Sequence, residues 1–322
     1  MRIRPTLLAA LLTCCAALAA PAAAAPGAHL SGIDLISERV ADIAVYSAAM
    51  DTTVRARVLR AADPATPAPV LYLLNGANGG TGGSWYDETD VARFFAGKQV
   101  TVVIPVGGAG SYFTDWQASD PVLGRPLWTT FLTRELPPIV DAAFAGTGAN
   151  AVAGISMAGT SVFQLAESAP GLYRAIGSYS GCVGTSTPQE QAFVAAVVAR
   201  YGGNATNMWG PPGGPAWIAN DPARRADRLR GTSIYVSTGT GLPGEFDTLA
   251  GTGGDAIQLT WQLLFGSPLE ILAHGCALRL RTQLADLDIP ATFDLRPTGT
   301  HSWGYWQQDL HTSWPQFEQA LR

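Results

Sequence analysis

The sequence is short of positive charge, and of lysine above all. Lys98 is the single lysine among 20 basic residues, which stand against 25 acidic ones. The one basic cluster, Arg224, Arg225, Arg228 and Arg230, lies on a short polar stretch and reads as a solvated helix face. A nucleic-acid partner, whose phosphates call for clustered cations, is not indicated. Histidine and cysteine are equally scarce, with four of each. No histidine stands at ligand spacing from a mature-chain cysteine except His274, two residues before Cys276, so metal binding is the weaker reading there. Neither glycine-rich stretch completes a nucleotide motif. NGANGGTGG, Asn75 to Gly83, lacks the Gly-Lys-Ser/Thr ending of a phosphate-cradling loop, and GISMAG, Gly154 to Gly159, lacks the middle glycine of a dinucleotide fingerprint. The first reads better as a loop whose backbone N–H groups are free to point at a ligand.

Long apolar runs are missing too, save one. TLLAALLTCCAALAA, Thr6 to Ala20, follows the positive MRIRP and leads into PAAAAP. It is too short for a comfortable membrane span and reads as the core of a signal peptide, residues 1–25, cleaved near Ala25. A threonine precedes Cys14 where a lipid-anchored chain carries Gly, Ala or Ser, which argues against an anchor. The expected mature chain, 26–322, is exported, has no integral membrane segment and carries 18 basic against 25 acidic residues, a net charge of −7. With 47% hydrophobic and 14% charged residues, the sequence supports a sizeable core and an apolar groove for a greasy substrate. Only Cys182 and Cys276 survive signal removal. Two cysteines in an exported chain pair more often than they stay free, so a disulfide is expected.

Along the chain, Val45 to Arg60 alternates as a hairpin of edge strands does. VLYLLN (Val70 to Asn75) and VTVVIPV (Val100 to Val106) are continuous apolar runs, the signature of strands buried on both faces of a parallel sheet. ANAVA (Ala149 to Ala153), AIGSYSG (Ala175 to Gly181), SIYVSTG (Ser233 to Gly239) and ATFDLRP (Ala291 to Pro297) complete the set. Helical patterns lie between them, notably FLTRELPPIVDAAF and SPLEILAHGCALRLRTQLADL. Strands alternating with helices predict an α/β fold in one domain. Tyr201 to Ala219, rich in Gly, Pro and Asn, is the expected insertion and a candidate lid.

GISMAGTS, Gly154 to Ser161, raises the question of chemistry. A buried strand precedes it, and Val162, Leu165 and Ala169 follow at helical spacing. A serine between small residues in a strand-to-helix turn is a nucleophile elbow, although Ala158 stands where glycine is usual. The bland alternative is a small residue in a tight turn. If Ser156 is the nucleophile, an acid and then a histidine should follow in the chain. His301, in PTGTHSWGYW just after the last strand, is placed to reach over the sheet's carboxyl edge; His29, His274 and His311 are not. The acid is left open among Glu245, Asp247 and Glu270, each of which also reads as a helix-start carboxylate.

GISMAG, PVGGAGSYFTDW (Pro105 to Trp116), LWTTFLTRELP (Leu127 to Pro137), AWIANDP (Ala216 to Pro222) and GTHSWGYW (Gly299 to Trp306) together resemble the antigen 85 mycolyltransferases, exported α/β-hydrolases. The likeness runs from about Tyr46 to Leu310. It implies a mostly parallel sheet with helices on both faces. It also implies acyl transfer from trehalose monomycolate, by way of a serine ester, to trehalose or a cell-wall sugar. Position by position it makes Ser156 the nucleophile and His301 the base. It selects Glu270, in a Leu-Glu pair 31 residues before His301, as the acid. The backbone N–H groups of Ala77 and Met157 become the oxyanion hole, and Trp303 a sugar-stacking face. Where the family reads Leu-Leu-Asp-Gly-Leu-Arg, this chain has Leu73-Leu74-Asn75-Gly76-Ala77-Asn78, leaving Asn75 and Asn78 as uncharged substrate contacts. The family's cysteine pair after its Asp-Trp is absent, and the Cys182–Cys276 pair is not part of its pattern. No metal or organic cofactor is called for. The alternatives are a secreted carboxylesterase with the same three residues and a non-catalytic envelope- or matrix-binding relative.

Overall fold

The structure, a computed structural model, describes residues 27–322; the expected signal peptide with Cys14 and Cys15 lies outside them. Among the described residues nine strands form one sheet: β1 (His29–Leu35), β2 (Val40–Ser47), β3 (Thr52–Leu59), β4 (Ala68–Leu74), β5 (Thr101–Val106), β6 (Gly146–Ile155), β7 (Tyr173–Tyr179), β8 (Ser233–Thr238) and β9 (Thr292–Leu295). Their order across the sheet is β1-β2-β3-β5-β4-β6-β7-β8-β9. The first three strands are antiparallel, as is the β3–β5 pair, and every later neighbour is parallel.

The continuous apolar runs have the reason expected of them. In β4, Val70, Tyr72 and Leu74 enter one core while Leu71 and Leu73 enter the other, and all five are fully buried. Such a strand has no polar face to show. The expected hairpin is β2 and β3. Ahead of it β1 was not anticipated, because an exposed edge strand buries too little to leave an apolar pattern.

Two expectations are corrected. Tyr201 to Ala219 is not an open loop. It holds short helices at Ala205–Trp209 and Pro215–Ala219, with Trp209 and Trp217 buried edge to face, 5.2 Å between ring centres. Asp120 adds a tether by accepting from Asn204 N and Asn207 Nδ2, both at 2.9 Å. The segment is pinned, which disfavours a lid. The arginine cluster is likewise not a helix face. It falls on two 3₁₀ turns, where Arg225 and Arg228 donate to the Glu167 carbonyl and Arg230 to those of Leu287 and Asp288. These cations close helix ends.

Glu167, near the end of the helix Met157–Ser168, gives the first stability prediction. Burial raises its carboxyl pKa to about 9, opposed by the Arg225 guanidinium 4.0 Å away, and Oε1 has no hydrogen-bond partner. The native state therefore keeps a proton that the unfolded chain releases near pH 4.5, so stability falls as pH rises from there to about 9. Glu167→Gln removes that loss. It should stabilise the protein by about 1–3 kcal/mol at pH 7.5, and flatten the pH dependence of urea midpoints between about pH 5.5 and 8.5.

Candidate active site

Ser156 follows β6 and precedes the helix Met157–Ser168. Its backbone has φ 54° and ψ −122°, a strained conformation for a residue with a side chain. The turn is possible because Gly154 has no Cβ: one built there would lie 2.7 Å from the Ala158 Cβ. That contact also answers the question of Ala158. The methyl group where glycine is usual occupies the space Gly154 leaves open, and it is fully buried. Ser156 N–H is anchored to the Tyr179 carbonyl at 2.9 Å, joining the turn to the end of β7.

The next residue along that strand end, Ser180, also has a positive φ, 54°. Its hydroxyl donates to Glu270 Oε1 at 2.8 Å. Thr238 Oγ1 and Gly239 N–H donate to the same oxygen at 2.9 and 2.6 Å, and Oε2 meets His301 Nδ1 at 2.9 Å. Glu270 is fully buried, so these partners replace the water it has lost. His301 is 10% exposed at its side chain; Nε2, the nitrogen away from Glu270, is buried without a hydrogen-bond partner. Trp306 packs edge-on against the imidazole, 4.9 Å between centres, and its Nε1–H donates to Ser180 Oγ at 2.9 Å. The strained turn of Ser156 and the Glu270–His301 pair are thus tied to one strand end: Tyr179 accepts from Ser156 N–H, and the next residue, Ser180, donates to the Glu270 that holds His301.

The other acids stand apart. Glu245 is exposed, and Asp247 is buried with partners other than His301. Behind the site, burial lifts Asp309 to about 7, with Arg296 and Ser237 pulling it down and the Glu270 charge pushing it up.

Met157 begins its helix, so its N–H has no acceptor within the helix. Ala77 lies in the loop after β4. Its carbonyl accepts from Gly110 N–H at 2.9 Å, and Gly79 O accepts from Gly107 N–H at 2.8 Å, lacing that loop to the one after β5. A Cβ on neighbouring Gly76 would come within 3.5 Å of Ser156 Cβ, so the loop passes directly beside the elbow.

Asn75 and Asn78, the expected substrate contacts, both have side-chain partners around their own loop. Asn75 is fully buried, donating to Pro105 O and accepting from Trp85 N–H, both at 3.0 Å. Asn78 donates to Gly83 O at 2.9 Å and accepts from Gly80 N–H at 3.0 Å. Both side chains brace the loop that carries Ala77. Trp303 is half-buried, with its ring 5.7 Å from Trp85 and 5.0 Å from Trp306.

Cys182 and Cys276 form the expected disulfide, tying the loop after β7 to the helix Ser267–Asp286 that carries Glu270. That helix continues an earlier one, Ala256–Trp261, through a π-helical turn, Gln262–Gly266. Its outer face exposes Ile257, Trp261, Leu264, Phe265 and Ile271. Among the residues missed in the sequence, Ser180 and Thr238 had one faint signal, small polar side chains ending buried runs in SYSG and VSTG, whereas Trp306 had none.

A mostly parallel sheet with a strained serine after one strand and a Glu–His pair at the neighbouring strand ends defines an α/β-hydrolase. The family described as "Putative esterase" matches residues 47–317. The chain belongs to this esterase family, and its sequence places it with the antigen 85 proteins. It is 33% identical over 265 residues to the diacylglycerol acyltransferase/mycolyltransferase Ag85B of Mycobacterium leprae, covering 79% of this chain and 76% of that one. Ag85C of the same organism is 33% identical over 261 residues, covering 78% and 74%. Among solved structures, Mycobacterium tuberculosis MPT51 superposes with a TM-score of 0.71 at 25% identity, over 86% of this chain and 96% of that one. A fluorophosphonate-binding serine hydrolase of Staphylococcus aureus, FphF, shares the fold, with a TM-score of 0.63 at 15% identity over 88% and 98%.

Proposed function

We propose that residues 26–322 form one exported acyltransferase domain. It moves a long-chain acyl group from a sugar ester such as trehalose monomycolate to trehalose or a wall sugar. Export follows from reading residues 1–25 as a signal peptide. The observation that carries the chemistry is the Glu270–His301 pair, whose Nε2 has no hydrogen-bond partner, together with Ser156 in its strained turn after β6. His301 Nε2 takes the Ser156 hydroxyl proton as Oγ bonds to the ester carbonyl carbon. Glu270 holds Nδ1–H and steadies the imidazolium that forms. The N–H groups of Met157 and Ala77 receive the negative oxygen, each contributing about 3 kcal/mol. Collapse breaks the bond to the sugar oxygen, which leaves with the proton from His301. The acceptor hydroxyl then repeats the sequence in reverse. No step needs a metal or organic cofactor.

The exposed apolar side chains between Ile257 and Ile271 support a greasy acyl substrate. A second reading, a carboxylesterase with water as acceptor, is favoured by one observation: Asn75 and Asn78 are spent on their own loop. Product analysis separates the two. Incubation with an acylated trehalose should give diacyl trehalose in amounts that rise with added free trehalose. Free fatty acid alone, unchanged by trehalose, would establish the esterase.

A further inference from the structure

Asp247 makes no hydrogen bond to His301 or Glu270, yet its partners come from the segments around both. Oδ1 accepts from Thr300 Oγ1 and from Gln262 Nε2 at 3.1 Å. Oδ2 accepts from Tyr305 OH and from Gly244 N–H, both at 2.8 Å. Thr300 immediately precedes His301, and Tyr305 lies in the first turn of the final helix, Trp303–Leu321. Gln262 opens the π turn that runs without a break into the helix of Glu270.

We infer that Asp247 is the positioning residue that holds the His301 loop and the Glu270 helix in register. The contact between them is close. A Cβ on Gly266, in the π turn, would lie 3.4 Å from His301 N. The segment before Asp247 is laid along the histidine loop as well, through Gly241 N–H to Gly299 O at 2.9 Å and Gly299 N–H to Leu242 O at 2.7 Å. The 2.9 Å bond between Glu270 and His301 therefore joins two segments that Asp247 ties separately. Neither segment can shift without breaking a bond to its carboxylate. Geometry of this kind sets a rate, because a displacement of about 1 Å at an acid–base pair costs up to about a hundredfold.

The inference rests on the Ser156–His301–Glu270 reading, and the test keeps the two apart. Turnover of a short-chain p-nitrophenyl ester is measured per active site titrated with fluorophosphonate. Asp247→Ala should lower kcat by about ten- to a hundredfold, with KM changed less than about threefold. Asp247→Asn should recover most of that loss, because Gln262 and the two hydroxyls can turn to meet an amide. Thr300→Val reads the same tie from the histidine side, even if Asp247→Ala fails to fold. It should cost about three- to tenfold, and add nothing in the double variant with Asp247→Ala. A folded Asp247→Ala or Thr300→Val protein with wild-type kcat would overturn the inference, as would Asp247→Asn as slow as Asp247→Ala. Wild-type protein without an adduct at Ser156 would instead remove the reading on which it rests.

Discussion

Glu270→Gln should lower kcat about a thousand- to ten-thousandfold, while KM for a short ester moves little. The side chains are nearly the same size, so the loss comes from chemistry. The carboxylate accepts at both oxygens, from Ser180, Thr238 and Gly239 on one side and His301 on the other. A glutamine must turn its NH₂ toward one side. Facing His301, it forces the tautomer with the proton on Nε2, and the ring cannot accept from Ser156. Facing Ser180, Thr238 and Gly239, it meets donors it cannot satisfy and displaces the helix start. Either way the imidazolium loses its counter-charge. Initial rates over a range of ester concentrations, on protein with native circular dichroism, check this. A variant within about tenfold of wild type would show that Glu270 is not the acid.

The largest stability effect should come from replacing both cysteines by serine. The bond spans 94 residues, and closing a loop of that length is worth about 4–5 kcal/mol in the chain-entropy account. For a chain of this size the midpoint of thermal unfolding should fall by roughly 6–9 °C. Activity should suffer with it. Cys182 follows Ser180 by two residues, and Cys276 lies six residues after Glu270 on the same helix, so the bond fixes the acid against one of its donors. Scanning calorimetry of the double variant, and of wild type treated with a dithiol, should give the same fall. An unchanged midpoint would mean that packing alone holds the two segments.

The sheet was legible because burying both faces of a strand requires the uninterrupted apolar runs seen at Val70 to Leu74 and Val100 to Val106. The disulfide followed from counting cysteines in an exported chain. Choosing among Glu245, Asp247 and Glu270 was not possible from composition or spacing. What separates them is contact across the fold: Glu270 meets His301, while Asp247 meets the residues on either side of it. The polar cradle of Glu270 was hidden for the same reason, since Ser180, Thr238 and Trp306 come from three distant segments. The bracing done by Asn75 and Asn78 was hidden as well. Their amides look available in a glycine-rich loop, but shaping such a loop is what consumes them.

One measurement tests the central claim most directly. Folded protein is treated with a fluorophosphonate probe and its peptides are mapped by mass spectrometry, with Ser156→Ala beside wild type. The account predicts a single adduct on Ser156 that is absent from the variant. An adduct on another serine, or none on folded wild-type protein, would contradict it.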